Sequence, residues 1–245
     1  MRYKITLEYN GTGFDGWQKQ PSGNGVQNYV EQALSAFNPE APGTIVAGRT
    51  DAGVHAMGQV ISVDLVRDIT PMKLCDALNA HLRGRAIVAV MAEIVPDDFS
   101  ARTSAKRRYY RYVILNRRSP TALLADRVWQ FPHRLNLAAM QEGAAHFVGK
   151  HDFTSFRSSI CQARNPVRTI DAFTVTPHDD QIWFEISARA FLHHQVRNMV
   201  GTLVEIGRGK QPPGDIPKMI AAHTRAAAGP TAPACGLYFV KVEYS

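Results

Sequence analysis

Over residues 2–9 polar and apolar side chains alternate, with Tyr3, Ile5, Leu7 and Tyr9 on one side and Arg2, Lys4, Thr6 and Glu8 on the other. That period of two predicts a half-buried antiparallel strand. A loop punctuated by Gly11, Gly13, Gly16, Gly23 and Gly25 follows, after which Val26, Val30, Ala33, Leu34 and Phe37 recur at helical spacing. The chain therefore opens as strand, loop, helix. Alternation resumes over 59–65, and Thr70-Pro71 supplies a capping residue and a first-turn proline for a helix expected to carry Met72, Cys75, Leu78 and Leu82 on one face. Strands are predicted over 87–95 and 106–115.

Beyond Asn116 the pattern loosens through Arg117-Arg118-Ser119-Pro120, which places a boundary between a half at 1–116 and a half at 117–245. The second half repeats the kinds of element. A helix carries Met140, Ala144 and Phe147; a strand over 181–191 presents Ile182, Phe184 and Ile186; a long helix aligns Val196, Met199, Val200, Leu203 and Ile206. A shorter helix starts near Asp215, and a closing strand over 236–244 puts Tyr238, Val240, Val242 and Tyr244 on one side. These elements predict an α+β protein of two similar α/β halves with largely antiparallel sheets, although no direct sequence repeat is visible.

With 245 residues, 45% of them hydrophobic, the chain can bury a substantial core, and long disorder is not expected. The formal net charge of +7 suits a polyanionic partner without specifying one. The three cysteines, Cys75, Cys161 and Cys235, are widely spaced and odd in number, so neither a disulfide framework nor a Cys-x-x-Cys site is indicated. The N-terminal segment lacks the unbroken apolar core of a signal peptide, and no stretch is long enough to span a bilayer. A cytoplasmic protein is expected.

The run Gly48-Arg49-Thr50-Asp51-Ala52-Gly53-Val54-His55-Ala56 places one carboxylate beside one guanidinium in a turn bracketed by glycines, just before a strand. Asp51 is the first candidate for a nucleophile or base, although Asp-Ala-Gly is also ordinary turn chemistry. Seven basic residues lie between Arg102 and Arg118, interleaved with Tyr109, Tyr110 and Tyr112. Guanidinium groups for phosphates beside flat rings for unstacked bases suit RNA, so Arg102, Arg107, Arg108, Arg111, Arg117 and Arg118 are candidate RNA-binding residues; a charged strand face with tyrosines in the core fits the same pattern. In Ala190-Phe191-Leu192-His193-His194-Gln195-Val196-Arg197, adjacent histidines are expected to point apart, and no further ligand stands at chelating spacing, which argues against zinc. Arg197 sits at the edge of the apolar stripe of its helix, where it can reach a partner carboxylate. Phosphate-binding glycine motifs and a Gly-x-Ser-x-Gly elbow are absent.

The Asp51 run resembles the signature of the tRNA pseudouridine synthase A family. The likeness extends in the same order through Tyr9-Asn10-Gly11-Thr12, Gly16-Trp17-Gln18, residues 99–102, 108–112, 152–157 and 191–201, and Gly236-Leu237-Tyr238. It implies the pseudouridine synthase fold, two halves joined around a central RNA-binding cleft, and conversion of uridine to pseudouridine at positions 38, 39 and 40 in the anticodon stem-loop of tRNA. It further implies Asp51 as the catalytic nucleophile, Arg49 and Arg197 as the arginines around it, Tyr110 against the target uracil and Leu237 behind it. No cofactor, no metal and a homodimer belong to the same expectation. Attack on the ribose, attack on the uracil and removal of a sugar proton are all compatible with Asp51. Two other readings stand beside this one: a catalytically silent RNA-binding module, and a glycosidic-bond hydrolase, for which no second acidic residue is evident near Asp51.

Overall fold

The computed structural model describes residues 1–40 and 43–244. The chain forms two compact units, one of residues 1–106 with 238–245 and one of 107–237. The division thus falls ahead of the loosened segment at Arg117–Pro120, and the closing strand belongs with the N-terminal unit.

The first unit contains β1 (Arg2–Tyr9), α1 (Val26–Phe37), β2 (Ile45–Val46), β3 (His55–Asp64), α2 (Pro71–His81) and β4 (Ile87–Val95). β1 runs antiparallel between β4 and β3, with Ile5 opposite both Ala92 and Ile61. β2 adds a short antiparallel pairing to β3. Tyr3, Ile5, Leu7 and Tyr9 are buried as the alternation requires, and α1 buries Val26, Val30, Ala33 and Leu34. In α2 the expected face is displaced: Leu74, Leu78 and Leu82 are buried, whereas Met72 is 73% exposed and Cys75 only half-buried. A spacing of four keeps the three leucines in one row, and Met72 lies about 200° of helical rotation from Leu74. Thr70 occupies the position before α2 and Pro71 the first turn, but the Thr70 side chain makes no capping hydrogen bond; its carbonyl accepts Leu74 N–H at 2.9 Å.

The second unit contains β5 (Arg107–Leu115), β6 (Trp129–Gln130), α3 (Leu137–Ala145), β7 (Gly149–Asp152), β8 (Val167–His178), β9 (Gln181–Ala188), α4 (Gln195–Gly207) and α5 (Ile216–Ala221). β5, β9, β8 and β7 follow one another in antiparallel order, and β6 pairs briefly with β5 in parallel. Phe147 lies beyond the end of α3 yet is fully buried, packed edge-on to Phe156 with ring centroids 4.9 Å apart. β9 stops at Ala188, so Phe191 belongs to the segment leading into α4.

β10 (Leu237–Glu243) returns the chain to the first unit, where Tyr238 and Phe239 pair in parallel with His55 and Ala56 of β3. Its inward residues are Leu237 and Phe239; Tyr238, Val240 and Val242 are only partly covered, the reverse of the face expected from alternation alone. The phase of Leu237 and Phe239 runs on into Lys241 and Glu243, so alternation along the whole strand favours the other face, and only its first residues point inward.

Candidate active site

Asp51 stands half-buried on the connection between β2 and β3, in a turn closed by a hydrogen bond from Val54 N–H to the Asp51 carbonyl at 3.1 Å. Gly53 adopts φ +76°, a left-handed conformation that a side chain would strain. The turn is clasped by the glycine loop after β1. Trp17 N–H donates to the Thr50 carbonyl at 3.0 Å and Gly53 N–H to the Phe14 carbonyl at 3.3 Å. At Gly16, with φ +92°, a Cβ would lie 2.7 Å from the Thr50 carbonyl oxygen, and at Gly11 one would lie 2.0 Å from that of Val54. The two backbones therefore meet without intervening side chains, which explains the glycines on both loops.

Side chains fasten the turn from below. The Tyr9 hydroxyl and Thr50 Oγ1 lie 2.7 Å apart, and Gln59 Nε2 donates to the Gly48 carbonyl at 2.7 Å and to the Tyr9 hydroxyl at 3.4 Å. Gly11 N–H donates to His55 Nδ1 at 3.0 Å, and the His55 ring stacks on Tyr238 with centroids 4.8 Å apart. Arg49 is exposed beside Asp51. Thus the carboxylate is carried on a loop whose neighbours on both sides are held by buried polar contacts. Alternation marks Tyr9 as a core strand residue; that its hydroxyl faces Thr50 is invisible to periodicity.

Burial pushes the Tyr9 hydroxyl up to about 12, against the opposing effect of its hydrogen bonds with Thr50 and Gln59. The unfolded chain ionises near the ordinary tyrosine value while the folded one keeps its proton, so this contribution to stability is complete below about pH 10 and is lost as pH rises toward 12. Its full size is roughly 3 kcal/mol at about 1.4 kcal/mol for each pH unit. Tyr9→Phe should lose about 1 kcal/mol at neutral pH through the missing hydrogen bond. The variant should also unfold with a shallower dependence on pH above 10 than the wild type. Chemical denaturation of both proteins across this range checks the expectation; parallel curves would remove Tyr9 from the account.

In the second unit, β5 divides the basic and aromatic run between two faces. Arg108, Tyr110 and Tyr112 are buried, while Arg107, Tyr109 and Arg111 alternate with them on the more open side. Tyr110 packs edge-on against Phe191, with centroids 5.1 Å apart. The Arg108 guanidinium donates to the Arg189 carbonyl. Arg107 meets Asp171 at 2.8 Å, Arg111 meets Glu185 at 2.7 Å and Arg117 meets Asp180 at 2.7 Å. Arg102 and Arg118 are exposed. Within β5, therefore, Arg108 lies on the opposite face from Arg107 and Arg111, a division that the period of a strand already contains.

α4 starts at a residue of unusual backbone: His194 has φ 62° and ψ 4°, left-handed for a non-glycine. This folds the His193 and His194 rings together, with centroids 4.0 Å apart, rather than pointing them away from each other. One turn into α4, Arg197 Nε donates to the Ala232 carbonyl at 2.8 Å, and Ala232 N–H donates back to the Arg197 carbonyl at 3.1 Å. Leu237 is buried directly after Gly236, where a Cβ would lie 2.6 Å from the Tyr112 ring. Tyr112 is itself fixed by a hydrogen bond from its hydroxyl to the Pro233 carbonyl at 2.8 Å.

Comparison with known proteins gives a family match and many full-length relatives. The family model described as tRNA pseudouridine synthase matches residues 5–103 and 144–245. "tRNA pseudouridine synthase A" of Rhodopseudomonas palustris (strain BisA53) is 50% identical over 243 residues, covering 99% of either chain. The proteins of that name from Rhodospirillum centenum (strain ATCC 51521 / SW) and Neorickettsia sennetsu (strain ATCC VR-367 / Miyayama) are 49% and 50% identical over all of this chain and all of their own.

Proposed function

We propose, from the premise that this chain belongs to the tRNA pseudouridine synthase family, that Asp51 is the nucleophile of its reaction and that the target uridines are at positions 38, 39 and 40 in the anticodon stem-loop. The reaction is that of the family: isomerisation of uridine to pseudouridine in tRNA. What supports Asp51 is the build of its turn, where hydrogen bonds to Thr50 and Gly53 and the Tyr9 contact beneath Thr50 hold the carboxylate-bearing backbone in one conformation. A nucleophile on so constrained a loop needs little reorganisation to reach its reacting geometry.

The isomerisation breaks the bond between ribose and a uracil nitrogen, turns the uracil while it stays bound, and makes a new bond from ribose to a uracil carbon. That carbon gives up a proton and the nitrogen takes one, so the product has the composition of the substrate. The enzyme must extrude the base from its stack, which costs a few kcal/mol, and hold the detached ring away from water. Tyr110 supplies the flat face that replaces the lost stacking, and Leu237 an apolar wall. Arg49 and Arg197 are the guanidinium groups of the chemical step. No cofactor enters this scheme.

Incubating the protein with an unmodified tRNA transcript that has uridine at positions 38, 39 and 40, then mapping pseudouridine by sequence position, tests the reading. Modification confined to these positions is expected. Modification elsewhere would overturn the stem-loop assignment, and release of free uracil would favour a glycosidic-bond hydrolase. A homodimer and a cytoplasmic setting are part of the same proposal; among the described residues no helix is long and apolar enough to cross a membrane.

Arg118, exposed at the end of the basic run, is our candidate for a phosphate contact. Each phosphate contact contributes roughly 0.7 to 0.9 to the slope of log affinity against log salt concentration. Arg118→Ala should lower that slope by about one such contact and leave the single-turnover rate on saturating tRNA close to that of the wild type. An unchanged slope would take Arg118 off the RNA track.

A further inference from the structure

Residues 225–236 form a strap that Arg225 and residues 229–232 tie to one face of α4. Arg197, Asn198, Gly201 and Thr202 are neighbours on that face, and each meets it. A Cβ on Gly201 would lie 1.8 Å from the Pro230 carbonyl oxygen, and one on Gly229 would lie 2.8 Å from Thr202 Cα, so strap and helix touch backbone to backbone. Thr202 Oγ1 accepts the Gly229 N–H at 2.9 Å while donating to the Asn198 carbonyl at 2.8 Å.

Asn198 is the hub. It is fully buried. Its Oδ1 accepts from Thr231 Oγ1 at 2.7 Å and from an Arg225 terminal nitrogen at 3.2 Å, and its Nδ2 donates to the Phe156 carbonyl at 2.9 Å. Next to Thr231 on the strap comes Ala232, whose two backbone groups bind the Arg197 carbonyl and Arg197 Nε. The Nε–H bond lies in the plane of the guanidinium, so the carbonyl that receives it sets the direction of that plane. Beyond Ala232 the strap is held again by Tyr112 at Pro233 and delivers Leu237.

We propose that Thr231 and Asn198 are positioning residues for the isomerisation: by locking the strap to α4 they aim the Arg197 guanidinium. A helix arginine with only its Cα fixed keeps many rotamers; here the hub and the strap remove them before substrate arrives. The proposal rests on the role assigned to Arg197 above, and its test separates the two.

The measurement is the single-turnover rate on saturating tRNA, beside the Kd for the same tRNA. Thr231→Val keeps the shape and deletes the donor to Asn198. It should slow the chemical step by about ten-fold with Kd changed less than about two-fold, and Thr231→Ser should restore the rate to within about two-fold. In an Arg197→Gln background the Thr231→Val change should cost nothing further, because its effect passes through Arg197. An undiminished rate in Thr231→Val, or the same about ten-fold loss repeated in the Arg197→Gln background, would overturn the proposal while leaving the role of Arg197 intact. A wild-type rate in Arg197→Gln alone would instead overturn that role. If Thr231→Val loses its cooperative thermal transition, Arg225→Gln, which removes the other donor to Asn198, is held to the same outcomes.

Discussion

Asp51→Asn should abolish pseudouridine formation, by about 10⁴-fold or more in single turnover, while tRNA affinity stays within a few-fold of the wild type. The amide preserves the volume of the side chain and leaves the backbone contacts of the turn in place: Trp17 N–H to the Thr50 carbonyl, Val54 N–H to that of Asp51, and Gly53 N–H to that of Phe14. It removes only the charge and the nucleophilic oxygen. A rate assay on tRNA labelled at the target uridine, with a binding titration on the same preparation, reads both quantities. Turnover above the level of a mock purification would remove Asp51 as the nucleophile. Loss of affinity in step with loss of rate would make it a structural residue of the RNA site.

Tyr110→Ala should produce the next largest effect, and Tyr110→Phe should spare most of the activity. Tyr110 is 9% exposed and packed edge-on to Phe191, so truncation removes both the face proposed to stack on uracil and a piece of the second unit's core. A loss of about 10²-fold in the chemical step is expected for the alanine variant, with about 3 kcal/mol lost from stability. The phenylalanine variant keeps the ring and its contact with Phe191, and should remain within about ten-fold in rate. The comparison is read from single-turnover rates and denaturant midpoints together. Equal and complete loss of rate in both variants, with tRNA binding preserved, would move the function from the ring to the hydroxyl and make Tyr110 a proton-transfer residue.

The parts of this molecule that were legible in its sequence are those where one physical requirement dominates. β1 alternates because one face is core, and its four apolar residues are all buried; α1 keeps Val26, Val30, Ala33 and Leu34 of its apolar row in the core, while Phe37 at its end is only half-buried. β8 was not anticipated. Its buried positions, Ile170, Phe173 and Val175, change phase at the irregularity in its pairing with β9 between Ile170 and Ala172, so no single period describes it. α2 misled because Met72 and Cys75 look like core residues and are not, whereas the row from Leu74 to Leu82 satisfies the helix by itself.

At the candidate site, Asp51 announced itself through a compact run of glycines and charge. Its supports did not, since Tyr9, Gln59 and Gly16 reach it from separate elements through contacts that only folding creates. The strap shows the same limit. Nothing in Arg225, Thr231 and Ala232 marks them as neighbours of α4, because their meaning lies in backbone groups and in two glycines that let the chains touch.

The parallel pairing of β10 with β3 has a consequence for the order in which the protein is made. The first unit carries Asp51, yet its sheet is completed by residues that leave the ribosome only after the entire second unit. β1, β3 and β4 can associate early, but the edge of β3 that receives Tyr238 and Phe239 stays without those two partners for most of synthesis. His55, one residue after the turn that holds Asp51, gains its Tyr238 neighbour only then. The Asp51 turn takes its contacts with Tyr9, Phe14 and Trp17 from the start of the chain and can close early, whereas the stacking of His55 and the outer edge of β3 wait for the last strand to be translated.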